Sequence, residues 1–254
     1  MTLNCLSLFL TKLVRLEIYT ELTKTISPAY TEANLNFGGL AMPKAHNKLR
    51  GSYRNIAKIL KGATPDAVFA GEAWYREANQ VAQSVGEMAG YTDLKALQVG
   101  AGIIAALSPQ MGWGLNITIA ILLVKEGTRK ATLDNHTKAV KILQGEEPLK
   151  VLGGEKVKAF YLAIVDPYND STEVVIDRHA VAVYLGRAPK GDRELSMLGS
   201  TKVRNRIRGA YLKVAQDYNI NHHLLQSITW NAWRMETKTE SLGLVRNWKQ
   251  YKVD

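Results

Sequence analysis

Apolar side chains recur every three or four positions along most of the chain, and this spacing predicts an all-α protein. Glycine and proline interrupt the pattern where helices are expected to end, as at Gly62, Pro109 and Pro167. The predicted helices cover residues 3–23, 48–61, 66–88, 93–106, 113–126, 134–144, 156–165, 178–186, 200–217 and 222–235. The β-branched segment EVVI, residues 173–176, has the composition of a short strand, but no partner strand is evident.

The chain of 254 residues is long enough for one large or two small domains with a buried core. Small residues at Gly86 and Gly90 precede a more apolar stretch, and we place a soft boundary there. This boundary separates an N-terminal helical region, residues 1–90, from a second domain, residues 91–254. Residues 26–47 have the pattern of an irregular connection.

The charge balance is strongly basic. Lysine and arginine number 33 against 23 acidic residues, which gives a net charge of +10 and an isoelectric point of about 9.6. A polyanion is the partner that such a charge favours, and nucleic acid is the commonest one. A generally basic protein without such a partner remains the alternative.

Cysteine usage limits the chemistry and the compartment. Cys5 is the single cysteine, so an intramolecular disulfide, a four-cysteine iron–sulfur cluster and a cysteine zinc site are excluded. His222 and His223 have no acid or cysteine at ligand spacing, and we expect neither metal nor cofactor. One cysteine suits a reducing cytoplasm. The apolar segment LNCLSLFL is predicted to be a packing helix rather than a signal peptide, and no run reaches the roughly 20 apolar residues of a membrane span.

The segment 173–187, EVVIDRHAVAVYLGR, places an acid directly before an apolar helix. Asp177 is therefore predicted to cap that helix, because its carboxylate accepts hydrogen bonds from free backbone N–H groups and suits the positive end of the helix dipole. Val181, Tyr184 and Leu185 form the apolar stripe that follows. Whether the same carboxylate performs chemistry depends on two other segments.

Those two segments are a helix corner and a glycine turn. In residues 103–123, an apolar helix stops at Ser108-Pro109 and another starts near Trp113, so Gln110 is expected to project from the corner. In residues 149–164, Gly153 and Gly154 open a helix whose free N–H groups would form an anion site, with lysines close by. Each pattern also occurs in ordinary turns between core helices.

Taken in order, the three segments resemble the helix–hairpin–helix DNA glycosylase superfamily, whose members are endonuclease III-like base-excision enzymes. Leu107-Ser108-Pro109-Gln110 with Asn116 resembles the L-S-x-Q segment of that family, residues 152–157 resemble its hairpin in degenerate form, and residues 175–179 with Leu185-Gly186 resemble its V-D-x-H segment. The similarity covers roughly residues 93–187. It implies an all-α helix–hairpin–helix fold with an additional N-terminal helical region.

The resemblance also implies roles for individual residues. Asp177 would be the catalytic carboxylate, and Gln110 would fill the gap that a flipped base leaves in the duplex, beside Trp113. Gly153 and Gly154 would hold the DNA backbone without reading sequence. Departures from the family are a short interval between Gln110 and the hairpin, a hairpin without the usual proline, and residues 1–90, which have no counterpart.

Basic residues offer two further interpretations. One alignment makes Lys156 the amine nucleophile of a bifunctional enzyme, whereas the other places Val157 there and leaves Lys156 and Lys158 to neutralise phosphate. We favour the second alignment and expect a monofunctional enzyme. Arg204 and Arg208 share a helix face that would contact phosphate or simply be solvated.

Two tryptophans lie three residues apart in the segment ITWNAWR. This spacing predicts a core stripe for Trp230 and Trp233, with base stacking as the alternative.

Together these features predict a DNA glycosylase that hydrolyses the N-glycosidic bond of a damaged or modified base and leaves an abasic site in double-stranded DNA. Because family members also occur in phage and in anti-phage defence, a hypermodified pyrimidine such as glucosylated hydroxymethylcytosine is one expected substrate. The alternatives are a phage enzyme that remodels modified thymine in DNA and a non-catalytic helix–hairpin–helix DNA-binding protein. No obligate protein partner is evident.

Overall fold

The computed structural model describes residues 52–168 and 174–237, and within these residues it is all-α and contains no strand. The α-helices are α1 (Tyr53–Lys61), α2 (Pro65–Met88), α3 (Asp93–Leu107), α4 (Trp113–Glu126), α5 (Leu133–Leu143), α6 (Pro148–Val151), α7 (Glu155–Val165), α8 (Arg178–Leu185), α9 (Gly191–Ser196), α10 (Thr201–Asp217) and α11 (His222–Glu236). A 3₁₀ turn, Met197–Gly199, joins α9 to α10.

The helices predicted between residues 53 and 237 are confirmed, and from α2 onward their ends lie within one residue of the prediction. The predicted helix 3–23, the connection 26–47 and Cys5 lie outside the described residues. The segment 173–176, whose composition allowed a short strand, forms none in its described part: residues 174–176 are extended but pair with no strand in the described ranges. They are buried among helices and end at the cap of α8. Short helices α6 and α9 were not predicted.

Two apolar cores organise the described residues. The first lies between the C-terminal half of α2 and helices α3, α4, α5 and α7. The second lies between α1, the first turn of α2, α8, α10 and α11. Helix α2 therefore runs from one core into the other, and the boundary predicted near residue 90 falls between two helices, α2 and α3, that pack along each other.

Glycines let α2 approach its neighbours closely. A Cβ atom on Gly86 would lie 1.8 Å from the carbonyl oxygen of Ala96, and one on Gly100 would lie 1.8 Å from that of Ala82. A Cβ atom on Gly71 would lie 2.5 Å from the Cα atom of Ile228 in α11. Only glycine leaves room for these backbones, so α2 is fixed against both α3 and α11.

Among the described helices, none combines the length and apolar content that a membrane crossing requires.

Candidate functional site

A cavity of about 930 Å³ opens where the two cores meet. The corner between α3 and α4, the start of α7, and the extended segment before α8 all contribute to its wall. Helices α2 and α11 complete it. These are the three segments that the sequence analysis grouped, and the fold brings them together although they are separated along the chain.

Asp177 occupies the N-cap of α8 and is half-buried in the cavity wall. Its Oδ1 atom accepts hydrogen bonds from the backbone N–H groups of His179 at 2.9 Å and Ala180 at 2.8 Å. Its Oδ2 atom accepts a third, from the indole Nε1 of Trp230 at 3.1 Å. The carboxylate is thus held as a cap, as predicted, and by a tryptophan from α11 that the sequence did not connect with it.

An aromatic wall, defined here as Phe160, Trp113, Trp74 and Trp230, lines the cavity. Ring centroids are 6.5 Å apart between Phe160 and Trp113, 5.3 Å between Trp113 and Trp74, and 4.9 Å between Trp74 and Trp230. A cation lies at each end: Lys156 Nζ is 5.6 Å from the Phe160 centroid, and the Arg234 guanidinium is 4.0 Å from the Trp230 centroid. Flat apolar surfaces beside cations suit a planar, electron-rich ligand.

Gln110 is exposed at the mouth of the cavity, in the turn between α3 and α4. Its backbone φ is +62°, in the left-handed region that residues other than glycine seldom adopt. The turn closes when Met111 N donates to Ser108 O at 3.2 Å. The tight corner therefore presents the glutamine outward, as the sequence analysis expected from the surrounding proline and glycine.

The glycine turn places the start of α7 at the cavity. Gly154 has a φ of +75° and is the N-cap of α7, and it lines the cavity with the next two residues. Lys156 is partly buried there, and burial lowers the pKa of its ammonium while the nearby Asp177 carboxylate acts in the opposite direction. A lysine in this position belongs to the cavity wall. Its expected role in neutralising phosphate stays a prediction.

Arg204 and Arg208 were expected to face phosphate, and the structure instead brings both to an acid. Arg204 donates to Glu155 at 2.8 and 2.9 Å, and Arg208 lies 3.5 Å from the same carboxylate. Hydrogen bonding from Arg204 is the main cause that lowers the pKa of Glu155. The sequence did not indicate this pairing, because the acid lies 49 residues before Arg204, at the first position of α7, and contact of the two arginines with phosphate stays a prediction.

Two titratable groups beside Asp177 also belong to the site. His179 lies edge-on to Trp230 with centroids 5.8 Å apart, and burial lowers its pKa although Asp177 opposes this change. Burial also lowers the pKa of Arg234, to about 10. Tyr75 donates a hydrogen bond to Gln226 Oε1 at 2.9 Å in the buried floor, and burial raises the pKa of that tyrosine. The charged side chains in the wall are Lys156, Arg178, Arg204 and Arg234 against Glu155 and Asp177.

The structure brings most of the predicted site residues together. Those that line the cavity are Gln110, Trp113, Gly154, Lys156, Asp177 and Arg204; Gly153, Lys158 and Arg208 do not line it. Trp74 and Arg234 were missed, and Trp230 was placed in the core, although it lines the cavity. For Arg234, the sequence signal is its position four residues after Trp230, on the same face of α11.

Groups of three or more histidine, cysteine, aspartate or glutamate residues that would suit a metal ion do not occur in the described part of the chain. His222 and His223 stack on each other with centroids 4.5 Å apart and lie buried outside the cavity wall.

Comparison with known proteins identifies a family but no activity. The chain belongs to the family described as a family of unknown function (DUF7178), whose model matches residues 41–237. No curated protein and no solved structure matches the chain.

Proposed function

We propose that this protein is a DNA glycosylase that hydrolyses the N-glycosidic bond of a damaged or modified base and leaves an abasic site. One observation carries the proposal: three segments that resemble the motifs of one glycosylase superfamily line one cavity in the all-α structure. The proposed catalytic carboxylate, Asp177, and the proposed gap-filling residue, Gln110, are both in its wall.

Asp177 has the placement that the reaction requires. Loss of a base develops positive charge on the deoxyribose, and a fixed carboxylate near the sugar stabilises that charge or activates the attacking water. The backbone N–H groups of α8 fix the carboxylate without neutralising it by an ion pair among the described residues. The carboxylate is therefore held in place at the cavity before the substrate arrives.

The cavity suits a base taken out of the duplex. A flipped base is bound by stacking against aromatic side chains, and the aromatic wall offers four rings for this purpose. Its volume of about 930 Å³ lies near the upper end of the ~300–1,000 Å³ typical of small-molecule sites. This room supports a base with a bulky substituent, such as glucosylated hydroxymethylcytosine, over an unmodified base.

Double-stranded DNA is the proposed partner. The net charge of +10 favours a polyanion, and the N-terminus of α7 offers backbone N–H groups beside Gly154 at the cavity. Arg204 and Arg208 contribute less to this binding than their charge implies, because Glu155 offsets part of it.

The placement of Lys156 favours a second candidate activity, strand cleavage after base release. An amine nucleophile must be unprotonated, and burial lowers the pKa of Lys156 in the same cavity as Asp177. Attack of its Nζ on C1′ of the sugar, with departure of the base as the C1′–N bond breaks, would give an aminal. Cleavage of the C1′–O4′ bond, with protonation of O4′, would open the sugar and form the Schiff base. Loss of a C2′ proton with departure of the 3′ phosphate would then nick the strand, and hydrolysis of the Schiff base would free the lysine.

The decisive experiment is incubation with duplexes that contain normal, damaged, hydroxymethylated or glucosylated bases, followed by alkali to break abasic sites. A glycosylase gives a free base and an alkali-labile strand, and Asp177→Asn gives neither. Mass spectrometry of the digested DNA distinguishes the alternatives. A remodelled thymine without base release indicates the phage-type remodelling enzyme, and shifted but chemically unchanged DNA indicates a binding protein.

A further inference from the structure

The Asp177 carboxylate has nearly all its acceptor positions occupied. A carboxylate offers about four lone-pair positions, and Asp177 uses three of them for the backbone N–H groups of His179 and Ala180 and for the indole of Trp230. The two backbone bonds hold Oδ1, and the indole bond alone holds Oδ2. Because the two oxygens rotate together about χ2, the cap bonds and the indole bond restrain the carboxylate jointly, and the indole is the donor to Oδ2 among the described residues.

Trp230 is itself held by two neighbours. The Trp74 ring centroid lies 4.9 Å from its centroid in a tilted arrangement, and the Arg234 guanidinium lies 4.0 Å from it. His179 contacts its edge. A cation over an indole draws electron density towards itself and makes the N–H group a stronger donor, so Arg234 strengthens the bond that Trp230 makes.

We propose that Trp230 is a positioning residue of Asp177: its indole N–H, acting with the two cap bonds, holds Oδ2 in place and leaves one acceptor position of that oxygen for the attacking water or the sugar. The inference rests on the proposed function for its catalytic meaning, while the bond itself is testable without activity. It replaces the core role that helical spacing predicted for this tryptophan.

Other charged and titratable groups surround Asp177, and a substitution at Trp230 that keeps an aromatic ring disturbs them least. They are Tyr75 of α2, Lys156 of α7, Arg178 and His179 of α8, Tyr211 of α10 and Arg234 of α11.

The test compares Trp230→Phe, which keeps an aromatic ring but removes the donor, with Trp233→Phe as a matched control on the same helix. Trp233 packs against the second core and does not line the cavity. We expect Trp230→Phe to lower kcat by about 10–100-fold, the equivalent of one hydrogen bond to a charged group, and to leave KM nearly unchanged. Trp233→Phe should leave both constants nearly unchanged. A folded Trp230→Phe enzyme with a wild-type kcat, or one that loses activity through KM, overturns the proposal.

A second measurement tests the bond in the intact protein. In ¹H–¹⁵N spectra with sequentially assigned signals, the indole signal of Trp230 should move when Asp177 is replaced by Asn, whereas the indole signal of Trp233 should stay in place. If wild-type protein releases no base from any duplex but this change is present, the proposed function fails and the positioning contact stands. If the indole signal does not respond to Asp177, the positioning proposal fails whatever the activity, and the same spectra serve if Trp230→Phe does not fold.

Discussion

The Arg204 guanidinium donates two hydrogen bonds, of 2.8 and 2.9 Å, to the Glu155 carboxylate and so joins α10 to the first residue of α7. Because the pKa of Glu155 is lowered in the fold, the pair stabilises the protein above the ordinary glutamate pKa and loses this effect as pH falls through the folded value. The carboxylate is 42% exposed, so solvent screening keeps the effect modest.

Glu155→Gln should therefore lower the free energy of unfolding by about 0.5–1 kcal/mol at pH 7 and by much less at pH 3. Thermal melts at the two pH values measure this difference. Glu87→Gln, an exposed acid on α2 outside the cavity, is the matched control. Equal destabilisation by Glu155→Gln at both pH values would contradict a charge-based role for the pair.

Asp177→Asn should abolish base release and leave most DNA binding intact. Removal of a catalytic carboxylate costs roughly 10²–10⁴-fold in rate. Asparagine still caps α8, but its NH₂ group can face the Trp230 N–H, so we also expect a loss of about 1–2 kcal/mol in stability. Single-turnover base release, gel shifts and thermal melts separate these effects.

Asp134→Asn controls for the loss of a helix-start acid, because Asp134 lies in the first turn of α5, outside the cavity wall. Near-normal base release by Asp177→Asn would refute the catalytic assignment.

Borohydride should trap a covalent protein–DNA adduct if Lys156 is the nucleophile that its placement favours. We expect the adduct in the wild type and in Lys158→Ala, and its loss in Lys156→Ala. Since burial lowers the pKa of Lys156, trapping should approach its maximum at a pH below the ordinary lysine value of 10.5. Base release without any adduct in the wild type would restore the monofunctional enzyme expected from the sequence.

His223 should make the fold sensitive to mild acid. The ring is 1% exposed, and burial lowers its pKa to about 4. Because the folded pKa lies below the unfolded value, His223 stabilises the fold above pH 6.5, and this stabilisation is lost as pH falls towards 4. The loss between pH 7 and pH 5 amounts to about 2 kcal/mol.

His223→Phe removes the titration, so the change in melting temperature between pH 7 and pH 5 should shrink in this variant. His136→Phe, a half-buried histidine of α5, should keep the wild-type pH dependence. An unchanged dependence in His223→Phe would assign the acid sensitivity to other groups.

Gly71→Ala should separate α2 from α11 and disturb the aromatic wall. The Ser227 hydroxyl donates to the Gly71 carbonyl at 2.7 Å, and one helical turn later on each helix stand Trp74 and Trp230. The added Cβ would meet the backbone of Ile228, which costs about 1–3 kcal/mol. Near-UV circular dichroism should report the altered tryptophan packing.

Gly209→Ala is the matched control, because open space surrounds a Cβ atom at this position inside α10. It should stabilise the protein by about 0.5–1 kcal/mol through the better helix propensity of alanine. If Gly71→Ala is equally harmless, the close crossing of α2 and α11 does not constrain the tryptophans.

The fold was largely predictable because long amphipathic helices leave a clear periodic signal. The four-residue helix Pro148–Val151 is too short for that signal, and the β-branched residues before Asp177 imitate a strand although they pack as a single extended segment. Local sequence also identified Asp177 as a cap. The cap was predictable because the hydrogen bonds that define it join residues only two or three positions apart.

The site was predictable only in part, for the same reason. Gln110, Lys156 and Asp177 could be grouped by a resemblance between segments, whereas the contact of Trp230 with Asp177 joins residues 53 apart through the packing of α11. Trp74 reaches the cavity only because Gly71 permits a close crossing with α11. Arg204 faces an acid that no local pattern connects with it.

The aromatic wall bridges the two cores, since Trp113 belongs to the first and Trp230 lies on a helix of the second. A molecule can contact both rings only while the two cores remain packed against each other. Its binding energy is therefore added to the cost of separating them, by about 2.7 kcal/mol at a ligand concentration of 100 times Kd. A ligand in the cavity would suppress partly unfolded states in which one core has separated from the other. The ligand-bound protein would therefore unfold more cooperatively than the ligand-free protein.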